Sequence, residues 1–167
     1  MKFILNSICS YRNEKIDISF IDEYNYVSTE NMLPNKAGIT VSSSLPTTKA
    51  VNRFYCGDIL VSNIRPYFKK IWKATFDGGC SNDVLVFAAN EGVNPDYLYY
   101  VISNDAFFDY SMATSKGTKM PRGDKKAIME YTIPDFSTEE QTKIADILKP
   151  LDDKIALNNK INDNLPA

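Results

Sequence analysis

The chain has 167 residues, 44% of them hydrophobic and 12% aromatic, enough to close one globular core with an appendage and too apolar for a disordered tail. Nineteen Lys and Arg against 21 Asp and Glu leave a formal net charge of −2, which is not the basic balance of a protein that holds nucleic acid by charge alone. With no histidine and three cysteines that form no Cys-x-x-Cys pair, a structural zinc site and a Cys–His nucleophile are effectively excluded, and no apolar run approaches the roughly eighteen residues of a membrane span.

FILNSIC (3–9) alternates in the manner of a strand, and its apolar run is too short for a signal peptide. KIDISFI (15–21) predicts a second strand, and YNYVSTENM (24–32) a strand running into a loop. Residues 33–51 are rich in Pro, Ser and Thr with little periodicity, which predicts a long surface loop. A turn at Gly57 and Asp58 leads into a buried strand from Ile59 to Ser62, and residues 71–89 predict two strands joined across Gly78 and Gly79. Asn94 and Pro95 open a helix with Tyr97, Leu98, Val101 and Ile102 on one face, which Phe107 and Phe108 extend. A basic loop, SKGTKMPRGDKKA (115–127), precedes a last strand at YTIP.

Ser137 and Glu140 form the signature of a capping box, with Pro134 just upstream. From there Ile144, Leu148, Leu151, Ile155, Asn158, Asn162 and Leu165 fall in steps of four and three, the spacing of a coiled-coil seam. A helix over 138–165 would be about 42 Å long. The two asparagines would fix register at some cost in stability, and Pro150 predicts a kink or a split. Ile147, Lys154, Leu157 and Ile161 make a second stripe beside the seam. The residues leave two readings open: a helix that folds back on its own domain, or an arm that needs a second helix. The expected organisation is α+β, with a globular domain of mixed or antiparallel sheet over 1–136 and a long coiled-coil-type helix over 137–167.

Charge is unevenly spread. Residues 46–126 carry eleven Lys and Arg against eight Asp and Glu, a net +3, whereas 137–165 carries four Lys against six acids. Three clusters have the residue types that read or clamp DNA. The first is Asn63, Arg65, Tyr67, Lys69 and Lys70, since Arg and Asn match guanine and adenine edges, Lys neutralises phosphate and aromatics stack. The second is Lys116, Thr118, Lys119, Arg122 and Lys125, in a loop whose Gly117 and Gly123 permit close backbone approach. The third is Ser43, Thr47 and Lys49. Against these stand plainer readings: a hairpin whose Tyr67, Phe68 and Trp72 pack inward, and solvated surface loops. Catalysis finds little support. NPDY (94–97) departs from the Asn-Pro-Pro-Tyr of adenine methyltransferases, DGGCSND (77–83) lacks phosphate-loop spacing, and Asp77 and Asp83 are scattered carboxylates. The expectation is a chain with no catalytic residues and no metal.

Residues 131–165, with Glu140, Gln141, Ile144, Ala145 and Leu148 followed by Leu151, Asp152, Ile155, Asn158 and Asn159, resemble the conserved region after a target recognition domain in the DNA-specificity subunit of type I restriction–modification systems. GDILVSNIRPYFKKIW (57–72), NDVLVF (82–87) and GTKMPRGDKKAIMEYTIP (117–134) resemble the same family. The resemblance implies sequence-specific recognition of double-stranded DNA, without catalysis or cofactor in this chain. It implies a methyltransferase partner that uses S-adenosylmethionine, and a restriction and translocation partner that uses ATP and Mg, in the cytoplasm, where three free thiols also fit. The family's subunit has two recognition domains and two long helices, and this chain has one of each. Either it is part of a longer subunit, or it is a half-subunit that forms a homodimer through the seam, with Leu157 and Ile161 facing the methyltransferase. A different class of function stays open beside this one, a non-catalytic adaptor that dimerises through the helix and binds protein.

Overall fold

The computed structural model describes residues 3–165 and shows an α+β architecture in three layers. The central layer is an antiparallel sheet in the order β1 (Cys9–Tyr11), β8 (Val84–Ala89), β5 (Ile59–Ser62), β6 (Ile71–Lys73). β5 and β8 pair in the register Leu60↔Val86 and Val61↔Leu85. Ile59 and Val61, with Leu85 and Phe87, pack against Leu98, Ile102, Phe107 and Phe108 of the helical layer. Leu60, Val84 and Val86 turn the other way, onto Val27, Phe54 and Cys80 of the second sheet. Both faces of β5 are therefore buried, which is why ILVS carries no apolar–polar alternation.

The second sheet has the order β2 (Lys15–Asp17), β4 (Ala50–Phe54), β7 (Gly78–Cys80), β3 (Tyr26–Val27), antiparallel except for the parallel β7–β3 pair. Gly78 and Gly79 thus lie inside a strand rather than at the turn expected of them. The reason is crowding: a Cβ on Gly78 would sit 2.1 Å from the Asn25 carbonyl oxygen, and one on Gly79 2.5 Å from Val51. The segment expected to hold two strands consequently holds three.

The helical layer differs from expectation at one joint. α1 (Pro95–Ser103) is capped by Asn94, and the chain then breaks at Asn104, whose extended backbone and side chain cap a separate α2 (Asp105–Ala113). Phe107 and Phe108 of α2 both reach the core. The N-terminal segment is also not the strand its alternation predicts. Leu5–Ser7 form a 3-10 turn closed by the Ser7 hydroxyl on Ile4. The expected last strand is reduced to one bridge, Ile4↔Thr132, flanked by backbone hydrogen bonds from Leu5 to Tyr131 and from Ile133 to Phe3. A short α3 (Lys125–Met129), capped by Asp124, precedes it.

α4 runs from Thr138 to Asp163 without a break at Pro150, which lies exposed, where water can serve the backbone group the proline leaves unpartnered. Its N-terminus carries the capping box: the Ser137 N–H donates to Glu140 at 2.8 Å, and the Glu140 N–H to the Ser137 hydroxyl. Pro166 and Ala167, the end of the expected arm, lie outside the described residues. Among the described residues no helix is long and apolar enough to cross a membrane.

Candidate nucleic-acid interface

The two basic clusters, about sixty residues apart in sequence, are stitched together by backbone. Beyond β5, the Gly123 N–H donates to the Asn63 carbonyl at 3.1 Å and the Arg65 N–H to that of Pro121 at 2.8 Å, with an Ile64↔Arg122 bridge between them. The basic loop closes on itself through reciprocal 2.9 Å bonds between Lys116 and Arg122. This leaves Lys116, Thr118, Lys119 and Arg122 exposed on one excursion next to the first cluster. Asn63 is not displayed with them. It is buried at the joint, its Oδ1 without a protein partner, just below Gly123.

The first cluster forms a tight tip. Pro66–Phe68 make a 3-10 turn between Arg65 and Lys69, both left-handed. Pro66 is buried, while Tyr67 and Phe68 stand in solvent. The inward-packing reading therefore holds for Trp72 alone, whose ring lies on Phe54 and Phe76. Lys70 donates to the Thr29 carbonyl at 2.6 Å, and Lys69 shares Asp105 with Lys36. Those two ammonium groups hold the Asp105 carboxyl below the usual range. Nothing in the loop-like reading of 33–51 marked Lys36 or Asn35 as part of this tip; only the folded chain brings them there.

The third loop borders the same region. A depression of about 240 Å³ is lined by Thr29, Glu30, Ser44, Leu45, Ser81 and Asp83 among others. Thr29 is the residue that receives Lys70, and Asp83 pairs with Arg122 at 3.2 Å. The third loop therefore lines the depression, and each basic loop touches its wall through one side chain. Ser43, Thr47 and Lys49 lie exposed on the third loop. Lys125 and Lys126 are not brought there. At the start of α3 they line a separate depression with Ile4, Tyr11 and Met129, and the Lys125 carbonyl accepts from the Tyr11 hydroxyl. Asp124, held below the usual carboxylate range by the Lys116 ammonium and then by backbone N–H groups of Ala127 and Lys126, ties α3 to the basic loop.

Chemically, exposed Arg and Lys can neutralise phosphate and Ser or Thr hydroxyls can bond to base or sugar. The Glu30 and Asp83 carboxylates repel phosphate but can accept from an exocyclic amine such as that of cytosine. Among the described residues no group of three or more Cys, Asp or Glu is placed to hold a metal; Asp77 accepts from the Cys56 N–H instead.

The arm divides at about its middle. Gln141 and Ala145 are buried against the body, Ile144 packs on the main core and Leu148 is half-buried. Gln141 works as a clasp: its Nε2 donates to the Phe136 carbonyl at 2.9 Å, while its Oε1 accepts from the Asn94 N–H at the start of α1. From Lys149 to Leu165 every residue is exposed, including Leu151, Ile155, Leu157, Asn158, Ile161, Asn162 and Leu165.

The model of the type I restriction modification DNA specificity domain matches residues 1–167. The chain belongs to that family. It is 33% identical over 97 residues to the type I restriction enzyme EcoDI specificity subunit of Escherichia coli, an alignment covering 58% of this chain and 21% of that protein. To the HindI specificity subunit of Haemophilus influenzae it is 29% identical over 177 aligned positions, 98% of this chain and 38% of that protein. The HsdS subunit from Thermoanaerobacter tengcongensis shares the fold at 20% identity with a TM-score of 0.68, over 96% of this chain and 44% of that one. A type I system S subunit from M. genitalium does so at 18% identity and 0.63, over 98% and 43%. This specificity-domain chain therefore spans less than half the length of the relatives it matches.

Proposed function

We propose that the chain recognises duplex DNA by sequence, as the specificity subunit or half-subunit of a type I restriction–modification complex. The observation that carries the reading is the joining of the two basic loops by backbone, with Lys116, Lys119 and Arg122 exposed on the excursion they form and Arg122 paired to Asp83, which lines the depression. This chain supplies recognition and no catalytic group. A methyltransferase subunit brings S-adenosylmethionine and modifies adenine, and a restriction subunit uses ATP and Mg to translocate and cut, all in the cytoplasm. The exposed half of α4 supports pairing with a second such helix, in the same protein or in another copy, and Leu157 and Ile161 support contact with the methyltransferase. A homodimer would read a two-part symmetric site, since protein symmetry is mirrored in the DNA.

The test is binding of the full chain to a pool of randomised duplexes as salt is raised. The log–log slope should be steep, about 0.9 per phosphate contact, and Arg122→Ala should flatten it by about one contact. Binding with no salt dependence, or no binding, would instead favour a protein-binding adaptor.

A further inference from the structure

We propose that Tyr67 and Phe68 form an aromatic wedge that enters one base step of the bound duplex, unstacks it, and so selects flexible pyrimidine–purine steps. The inference rests on the DNA-recognition reading above and adds to it a means of discrimination that uses no hydrogen bond to a base.

The backbone of this tip is held in a sparsely populated conformation. Among the described residues four non-glycine positions have positive φ, and all four are here: Asn35 (55°), Lys36 (61°), Arg65 (50°) and Lys69 (51°). Two segments are strapped together at these positions, the Asn35 N–H donating to the Phe68 carbonyl at 2.8 Å and the Lys36 N–H to that of Lys69 at 2.9 Å. Within the turn, Phe68 N–H bonds back to Arg65 and Lys69 N–H to Pro66, and Arg65 is tied to Pro121 at its base. Left-handed backbone at non-glycine residues persists only when its surroundings over-determine it, and such residues gather at functional sites.

What this rigid frame presents is apolar. Tyr67 is 48% and Phe68 38% exposed, their ring centroids 4.7 Å apart. The rest of each residue is covered, so both side chains are anchored in the tip while part of each stays open to solvent. Around them stand the Lys36, Lys69 and Lys70 ammonium groups against one carboxylate, Asp105, with the Lys70 nitrogen 5.7 Å from the Phe68 ring. An apolar tip in a net cationic collar matches a partner that offers flat π-faces between phosphates. Apolar side chains that enter a base step pay for its unstacking, and pyrimidine–purine steps unstack most readily.

The experiment selects duplexes from a randomised pool with the full wild-type chain, then follows affinity by fluorescence anisotropy and unstacking by permanganate oxidation of thymines. Every TA or CA/TG step contains a thymine, so an opened step is visible. The wild-type chain should make one or two thymines in its site hyperreactive. Tyr67→Ala with Phe68→Ala should remove that reactivity and weaken binding about tenfold or more, while Tyr67→Phe keeps both. The wild-type permanganate pattern stands even if the double variant folds poorly. Tight wild-type binding with no reactive thymine overturns the wedge and leaves DNA recognition intact. A double variant that binds DNA normally but changes its solution mass overturns the wedge in favour of a protein contact. A wild-type chain that selects no duplex overturns the recognition reading and the wedge with it.

Discussion

Gly123 is the residue on which the two-loop surface turns. A Cβ there would meet Asn63 Oδ1 at 2.7 Å, Ile128 Cδ1 at 2.8 Å and Ser111 Oγ at 3.0 Å, all buried side chains. Gly123→Ala should therefore cost about 1–3 kcal/mol, the usual range for overpacking, measured by urea unfolding. Because Asn63 supplies the nearest atom, Asn63→Ala should give back part of that loss, and a double-mutant cycle should show coupling. Strictly additive effects would mean the joint does not depend on this contact. The thiols make an independent check on burial. Desolvation pushes Cys9 and Cys80 up to about 12, whereas Cys56 is exposed. Since the thiolate is the reactive form, a disulfide reagent at pH 8 should label one thiol per native chain rapidly and all three only after denaturation.

Among the elements, the start of α4 is the one whose stability depends most plainly on pH. The backbone N–H and hydroxyl of Ser137 donate to Glu140 and hold its carboxyl below the usual range. A carboxyl whose folded pKa is depressed contributes fully above its unfolded pKa, and the contribution is lost as pH falls through the folded value. The melting temperature should thus drop between pH 5 and pH 3, and Glu140→Gln should lower it at neutral pH while reducing the dependence; parallel curves for the two proteins would count against the capping role. This helix was legible from the chain because its signals are local: a capping box and a heptad stripe lie within a few turns. β5 was legible for a similar reason, an apolar run bounded by turn residues. Gly78 and Gly79 misled because the pressure on them comes from Asn25 and Val51, distant in sequence. Asn104 hid a helix break, since one residue served as the end of α1 and the cap of α2. The candidate site was legible only as separate stretches, the polar loop with Ser43, Thr47 and Lys49 and the two basic ones. Their junction depends on hydrogen bonds between residues about sixty apart, and the part played by Asn35, Lys36 and Asp105 left no periodic trace.

At the scale of the whole molecule, α4 belongs to two structures at once. Its first three turns are part of the body's packing through Gln141, Ile144 and Ala145, so removing the entire helix would uncover α1 and unsettle the core. The informative truncation ends after Lys149, where the exposed stretch begins. That stretch keeps the seam residues Leu151, Ile155 and Leu165 more than half exposed, an apolar stripe on an otherwise mixed-charge helix, with Leu157 and Ile161 on the second stripe beside it. Pairing two such stripes would bury that surface, with Asn158 and Asn162 facing their counterparts and setting the register. Light scattering on the full chain should give about twice the monomer mass, while the chain ending at Lys149, or one carrying Leu151→Lys with Ile155→Lys, should stay folded and monomeric. If all three run as monomers, the stripe is reserved for a different helix, and the two-part DNA site must be completed by a second recognition domain. If all three run as dimers, pairing lies in the body, and the separation of the two half-sites is set by the sheet layers instead of by the arm.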